Sequence, residues 1–184
     1  MTEETLIAGF GGQGVLSMGM LLAYGGMIEG QEVSWMPSYG PEMRGGTANC
    51  IVINGDEPIS SPIVSRFDTV VIFNQPSLEK FETAVKPGGL LLYEEEAILT
   101  PPTRTDITVI AVPAARAAVE LKNQKVINLV MLGALLAAKA IIKPATAVKA
   151  LYKVLPERHH KLIPLNEQAL AKGRELVVAE IPVS

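Results

Sequence analysis

Six residues near the N-terminus, Gly9-Phe10-Gly11-Gly12-Gln13-Gly14, have the G-x-G-x-x-G spacing that marks a turn between a strand and a helix. Glycines let the backbone approach a ligand closely, and the free N–H groups at the start of the following helix attract a phosphate or carboxylate. The motif therefore predicts an anion site, and its candidate cofactor-binding residues are Gly11, Gly12, Gln13 and Gly14. A tight turn that binds no ligand is the alternative.

A nicotinamide dinucleotide would also need an acidic residue at the far end of the second strand, to hold the ribose hydroxyls. That segment ends at Met36-Pro37, whereas Glu32 lies at its beginning and Glu42 lies several residues into the next loop. A free-standing NAD(P)-binding oxidoreductase is therefore the weaker interpretation of the motif.

A second group of polar side chains lies in the loop Ser38-Tyr39-Gly40-Pro41-Glu42-Met43-Arg44-Gly45-Gly46. Arg44 offers a planar cation, Tyr39 a ring with a hydroxyl, and Glu42 an acceptor. This combination suits an anionic, partly planar ligand or the surface of another subunit, although Glu42 and Arg44 could equally be solvated loop charges. Asn74, after a later apolar run, either starts a helix or contacts a ligand in the crevice, and the helix start is the favoured interpretation.

These segments follow apolar runs that alternate with helical patterns, which is typical of an α/β protein. We predict strands at Thr5–Phe10, Glu32–Met36, Ala48–Ile53, Thr69–Phe73, Leu90–Tyr93 and Ile107–Val112. Predicted helices cover Val15–Ile28, Ser77–Val85, Ala114–Leu121, Val126–Ile142, Ala145–Leu155 and Leu165–Ala179. The expected fold is one Rossmann-like domain over residues 1–184, with a doubly wound, mostly parallel sheet, helices on both faces and a helical C-terminal region. Its ligand crevice should lie at the carboxyl ends of the strands.

The composition excludes several functions. A net charge of -3 over 184 residues gives no basic footprint for nucleic acid or an anionic membrane. The single cysteine, Cys50, cannot hold an iron–sulfur cluster or a cysteine-based zinc site. His159-His160 lacks further ligands at metal spacing, and Glu94-Glu95-Glu96 is expected to be a solvated edge. We therefore expect no metal site and no self-contained catalytic group, and we expect a cytoplasmic protein.

The two glycine-containing segments together carry a more specific signal than either one alone. Gly11-Gly12-Gln13-Gly14-Val15, followed by the Ser38–Gly46 loop, resembles the gamma subunit of the 2-oxoacid:ferredoxin oxidoreductases. The resemblance extends through Lys86-Pro87-Gly88-Gly89-Leu90 and Asn128–Ala134, and reaches about Leu155. It is closest to the free-standing gamma chain of the 2-oxoglutarate type, with pyruvate and branched-chain types as close competitors.

The resemblance implies a subunit of a complex that decarboxylates a 2-oxoacid, transfers the acyl group to coenzyme A and passes electrons to ferredoxin. It implies that thiamine diphosphate, Mg and the iron–sulfur clusters lie on alpha, beta and possibly delta partner subunits. This chain alone would bind none of them, but coenzyme A would bind at or near it. Ser38, Tyr39, Glu42, Arg44, Asn74 and Asn128 would then lie near the substrates or an interface, with Arg44 positioning an anionic group. A non-catalytic assembly subunit is the remaining alternative.

Overall fold

A six-stranded sheet in the order β2-β3-β1-β4-β5-β6 forms the centre of the molecule. The computed structural model describes residues 2–39 and 46–178. The strands are β1 (Thr2–Phe10), β2 (Glu32–Tyr39), β3 (Thr47–Gly55), β4 (Phe67–Ile72), β5 (Val85–Glu94) and β6 (Thr108–Val112). All six predicted strands are present, and most of them extend beyond the residues predicted for them.

The strand directions confirm a mostly parallel sheet. The pairs β1–β4, β4–β5 and β5–β6 are parallel, while β3 is antiparallel to both β1 and β2. Within the described sheet only β3 therefore runs in the opposite direction. Only seven residues, 40–46, separate the end of β2 from the start of β3, fewer than the dozen or so that a crossover between parallel strands requires, so these neighbours run antiparallel.

Helices cover the sheet unequally. One face packs against α1 (Val15–Ile28), α3 (Ala114–Glu120), α4 (Ile127–Ala138), α5 (Pro144–Val154) and α6 (Ile163–Val178), which form the larger core. The other face packs against α2 (Gln75–Phe81) around a smaller core that includes Leu78. This confirms helices on both faces of an α/β fold. None of the helices in the described ranges is long and apolar enough to cross a membrane.

Two predicted boundaries were wrong for identifiable reasons. The predicted helix Val126–Ile142 ends as α4 at Ala138, because Lys139 is extended and its ammonium pairs with Glu3 at 2.8 Å. Lys86-Pro87-Gly88-Gly89, which separates the predicted helix Ser77–Val85 from the predicted strand Leu90–Tyr93, lies inside β5. There Gly88 has a φ of +75°, and the pairing of β4 with β5 shifts register, so the glycines mark an irregularity in the strand.

The C-terminal helices build the larger core around α4, whose sequence is apolar except for Asn128. Gly133 of α4 lies against the backbone of Leu170, and Gly173 of α6 lies against the backbone of Val130. These reciprocal contacts make α4 and α6 antiparallel and bring their backbones unusually close. The largely apolar α4 is thus central to the fold, since a helix that is apolar nearly all round is buried on most of its sides.

Candidate functional site

In the glycine turn between β1 and α1, Gly14 is packed against a neighbouring side chain, whereas Gly12 is open. Gly12 and Gly14 both have left-handed backbones, with φ of +95° and +79°. A Cβ on Gly14 would lie 2.6 Å from the Asn128 amide group, whereas a Cβ on Gly12 would meet no described heavy atom within 4 Å. Gly14 is therefore required for packing, while Gly12 keeps the backbone accessible.

Gln13 has a structural role within the turn. Its side-chain oxygen accepts a hydrogen bond from the Phe10 N–H at 2.6 Å, and its Nε2 donates to the Phe73 carbonyl at 3.1 Å. These bonds tie the end of β1 to the end of β4. The amide of Gln13 thus holds the turn in place, and its role as a ligand-binding residue stays a prediction.

Helix α1 begins without a side-chain cap. The first intrahelical bond runs from the Met18 N–H to the Gly14 carbonyl at 2.9 Å, and Gly14 provides no side chain to satisfy the earlier N–H groups. The positive end of the α1 dipole therefore faces the open side of Gly12. A phosphate or carboxylate is the chemical group that such an end binds.

A cavity of about 700 Å³ opens beside this helix end. Gly12, Ser17 and Asn128 line it near the turn, and Asn128 Nδ2 donates to the Gly14 carbonyl at 3.3 Å. Leucine and valine side chains of α5 and α6 form the far wall. Lys125 also lines the cavity and makes no ion pair with any described residue, so its charge is available to an anion.

The predicted solvated edge at Glu94–Glu96 is only partly correct. Glu94 is 4% exposed, and its carboxylate accepts backbone N–H bonds from Ala97 at 2.8 Å and Ala115 at 2.9 Å. It therefore fixes two chain segments beside the cavity. Glu95 and Glu96 lie near the Arg116 guanidinium at 4.0 and 3.4 Å. Over residues 2–39 and 46–178, no cluster of three or more acidic, cysteine or histidine residues could hold a metal ion.

The glycine turn and the described ends of the second glycine-containing segment lie at the same edge of the sheet. The Gly11 N–H donates to the Gly46 carbonyl at 2.8 Å, so the turn is attached to the end of the second loop. Ser38 is exposed near the end of β2, and Tyr39 is its last residue. Glu42 and Arg44 lie outside the described residues.

Asn74 begins a helix, as favoured above. Its side-chain oxygen accepts the Ser77 N–H at 2.9 Å and caps α2, on the opposite face of the sheet from α1. The structure therefore brings together Gly12, Gly14 and Asn128 but places Asn74 in another role. Sequence reasoning missed Lys125, although its position just before the helix of Asn128 was a usable signal.

Comparison with known proteins identifies the family. The sequence profile described as pyruvate ferredoxin/flavodoxin oxidoreductase matches residues 4–176. The chain belongs to this family. It is 34% identical to the 2-oxoglutarate synthase subunit KorC of Methanocaldococcus jannaschii, over 96% of this chain and 94% of that protein. It is 46% identical to the ketoisovalerate oxidoreductase subunit VorA of Methanothermobacter marburgensis, over 71% of this chain and 27% of that protein.

Solved structures agree with this assignment. The gamma subunit of a keto/oxoacid ferredoxin oxidoreductase from Geobacter sulfurreducens matches 96% of this chain and 99% of its own, with a TM-score of 0.79 and 28% identity. The 2-oxoglutarate:ferredoxin oxidoreductase of Magnetococcus marinus, with 2-oxoglutarate, coenzyme A and succinyl-CoA bound, matches 100% of this chain and 32% of its own, with a TM-score of 0.89 and 25% identity. The predicted resemblance to gamma subunits is confirmed.

The relatives differ in length. This chain spans nearly the whole of KorC but about a quarter of VorA and about a third of the M. marinus chain. The same fold therefore occurs both as a protein of this size and as one part of a much longer polypeptide.

Proposed function

We propose that this chain is the gamma subunit of a coenzyme A-dependent 2-oxoacid:ferredoxin oxidoreductase and that it binds a phosphate of coenzyme A at its glycine turn. The observation that carries the proposal is the open, left-handed Gly12 just before the uncapped start of α1, together with Lys125, which lines the same cavity and makes no ion pair with a described residue. The M. marinus relative was solved with coenzyme A bound, which supports this choice of anion.

The proposal divides the chemistry among subunits. With Cys50 as its single cysteine, this chain has no ligand set for an iron–sulfur cluster. Thiamine diphosphate, Mg and the clusters would be held by alpha, beta and possibly delta subunits, and ferredoxin would accept electrons from the whole complex. This chain would hold coenzyme A while a partner binds the 2-oxoacid.

We propose 2-oxoglutarate as the substrate because KorC, a 2-oxoglutarate synthase subunit, matches over nearly its full length. The higher identity to VorA favours a branched-chain 2-oxoacid as the second candidate. Initial rates of the assembled enzyme with 2-oxoglutarate, ketoisovalerate and pyruvate distinguish the two. A higher kcat/KM for ketoisovalerate would overturn the choice of 2-oxoglutarate.

Arg44 is a candidate second ligand of the anion, proposed from its position in the sequence. It lies two residues before Gly46, whose carbonyl is bonded to the glycine turn. We propose that its guanidinium binds a second phosphate of coenzyme A or the carboxylate of the 2-oxoacid. Both Arg44→Ala and Arg44→Lys should then impair the enzyme, and Arg44→Ala more strongly, because lysine keeps the charge but loses the bidentate geometry.

The test of the coenzyme A site uses Gly12→Ala and Lys125→Gln in the assembled enzyme. An alanine in the left-handed region costs about 1–2 kcal/mol, and its methyl group enters the space that a phosphate would use. Loss of a charged hydrogen bond costs about 1.5–3 kcal/mol. We expect each variant to raise the KM for coenzyme A about tenfold or more, with the KM for the 2-oxoacid unchanged.

Gly30→Ala is the matched control. Gly30 has a φ of +79° and, like Gly12, no described heavy atom within 4 Å of a Cβ, but it lies beyond the opposite end of α1. The control should lose similar folding stability and keep the KM for coenzyme A. An unchanged KM in correctly assembled Gly12→Ala and Lys125→Gln enzymes would eliminate the proposed phosphate site.

A further inference from the structure

Helix α1 exposes an apolar stripe. Its exposed and half-buried side chains Met20, Tyr24, Met27 and Ile28 project from one side of the helix, within an arc of about 100° at the helical repeat. Tyr24 is 38%, Met27 61% and Ile28 41% exposed. We call these four residues the α1 stripe.

Packing within the single chain does not explain why these exposed side chains of α1 are apolar. The 14 residues of α1 include no charged side chain, and the polar side-chain groups on its exposed side are the hydroxyls of Tyr24 and of Ser17, one turn before the stripe. By contrast, α5 carries Lys149 and Lys153 among its exposed residues, and α6 carries Glu167 and Arg174. A surface helix normally places charged residues opposite its buried face, so an exposed stripe of this kind indicates contact with another protein.

The side chains of the stripe are typical of a permanent interface. Tyrosine and methionine are enriched in the buried centres of protein interfaces, whereas charged residues are depleted there. Stable, obligate interfaces are also more apolar than transient ones. The partner surface should therefore be uncharged and apolar, and it should stay attached during turnover.

The longer relatives suggest which partner this is. In VorA and in the M. marinus enzyme, the region that matches this chain is joined to two or three times as much additional polypeptide. In an enzyme built from shorter chains, that additional polypeptide must be a separate subunit that recognises this one without a covalent link. An exposed apolar helix supplies such a recognition surface.

We propose that the α1 stripe is the docking surface for the larger oxidoreductase subunit, which corresponds to the remaining polypeptide of those longer relatives. The inference rests on the proposed assembly but not on the coenzyme A site. Because α1 begins at the glycine turn, docking along its outer side would also fix the start of the helix relative to the partner. A second copy of this chain is the competing occupant.

The test introduces a charge into the stripe of the full chain, co-expressed with the other subunits of the oxidoreductase. Met27→Glu should reduce the amount of this chain that co-purifies with the larger subunit at least tenfold, while Met27→Leu should retain it. Subunit stoichiometry is read by size-exclusion chromatography and native mass spectrometry. Circular dichroism and the Tm of the purified chain check that each variant is folded.

Val119→Glu is the matched control, because Val119 is 60% exposed on helix α3 and lies outside the stripe. It should leave the complex intact. Normal assembly of the Met27→Glu variant would overturn the inference, and so would a dimer of the isolated chain that Met27→Glu dissociates without affecting the larger complex. If the wild-type chain forms no complex at all, the proposed assembly itself fails.

Discussion

Cys50 illustrates how burial alone changes the chemistry of a residue. Its side chain is fully buried under α1, and its thiol lies against the backbone at Gly19. Burial raises the pKa of the Cys50 thiol from 9.0 to about 12. The one cysteine of the chain is therefore a structural side chain and not a nucleophile.

This shift predicts a pH dependence of stability. Above the ordinary thiol pKa of 9.0 the unfolded chain releases the proton, while the folded chain keeps it up to about pH 12. The free energy of unfolding of the wild type should therefore fall relative to Cys50→Ala as pH rises above 9, approaching about 1.4 kcal/mol per pH unit. Urea unfolding of both proteins at pH 8, 9 and 10 measures the difference, and parallel pH profiles would contradict the prediction.

At the scale of single residues, the sequence predicted the geometry of the site only where it depends on residues close together in the chain. The left-handed glycines and the helix start follow from a short motif, so the position of the open turn was predictable, while its binding of an anion stays a prediction. The partner of Gln13 was not, because Phe73 lies 60 residues away and is brought close only by the pairing of β1 with β4. The roles of Glu94 and Lys125 depend in the same way on contacts between distant segments.

At the scale of elements, the crossing of α4 and α6 leaves no room for a side chain at Gly133 or Gly173. On an open helix a change from glycine to alanine stabilises by about 1 kcal/mol. At Gly133 or Gly173 a methyl group would instead overlap the backbone of the facing helix. The helices would have to move apart, and both belong to the larger core.

We therefore predict that Gly133→Ala and Gly173→Ala each destabilise the protein by about 2 kcal/mol or more, which reverses the usual sign for a helix. Thermal or urea unfolding measures the change, and the double variant should lose less than the sum because one separation of the helices relieves both overlaps. A Tm at or above that of the wild type in either single variant would show that the crossing is looser than described.

The type and bounds of a helix or strand were predictable where a single sequence pattern defines that element. Helix α1 has the predicted bounds Val15–Ile28, because its glycine turn and its apolar run have clear limits. The reversed direction of β3 was not specified, since an apolar run reads the same in both directions. The part of β5 at Lys86-Pro87-Gly88-Gly89 was missed because proline and glycine normally interrupt a strand. Only the pairing of Val85 and Leu90 with β4, and of Leu90 with β6, shows that β5 continues through this segment.

At the scale of the whole molecule, the proposed anion site and the proposed docking surface lie on the same helix. The chain's one cysteine is buried, and the described ranges contain no cluster of side chains that could bind a metal ion. Because the open glycine turn precedes α1 and the stripe lies along it, the two proposals together imply that ligand binding and assembly would be linked through a single element.

We therefore predict that the purified chain shows neither iron–sulfur or flavin absorption in the visible range nor reduction of a low-potential dye with any 2-oxoacid and coenzyme A. Adding the partner subunits should restore both the colour and the activity, because the clusters and thiamine diphosphate would enter with them. The Met27→Glu variant should fail to restore activity at low subunit concentration and recover at high concentration, since it weakens docking without removing a reacting group. Activity in the pure chain would contradict the proposed division of chemistry among subunits. A loss of activity in Met27→Glu that persists at high subunit concentration would instead indicate that α1 takes part in the reaction.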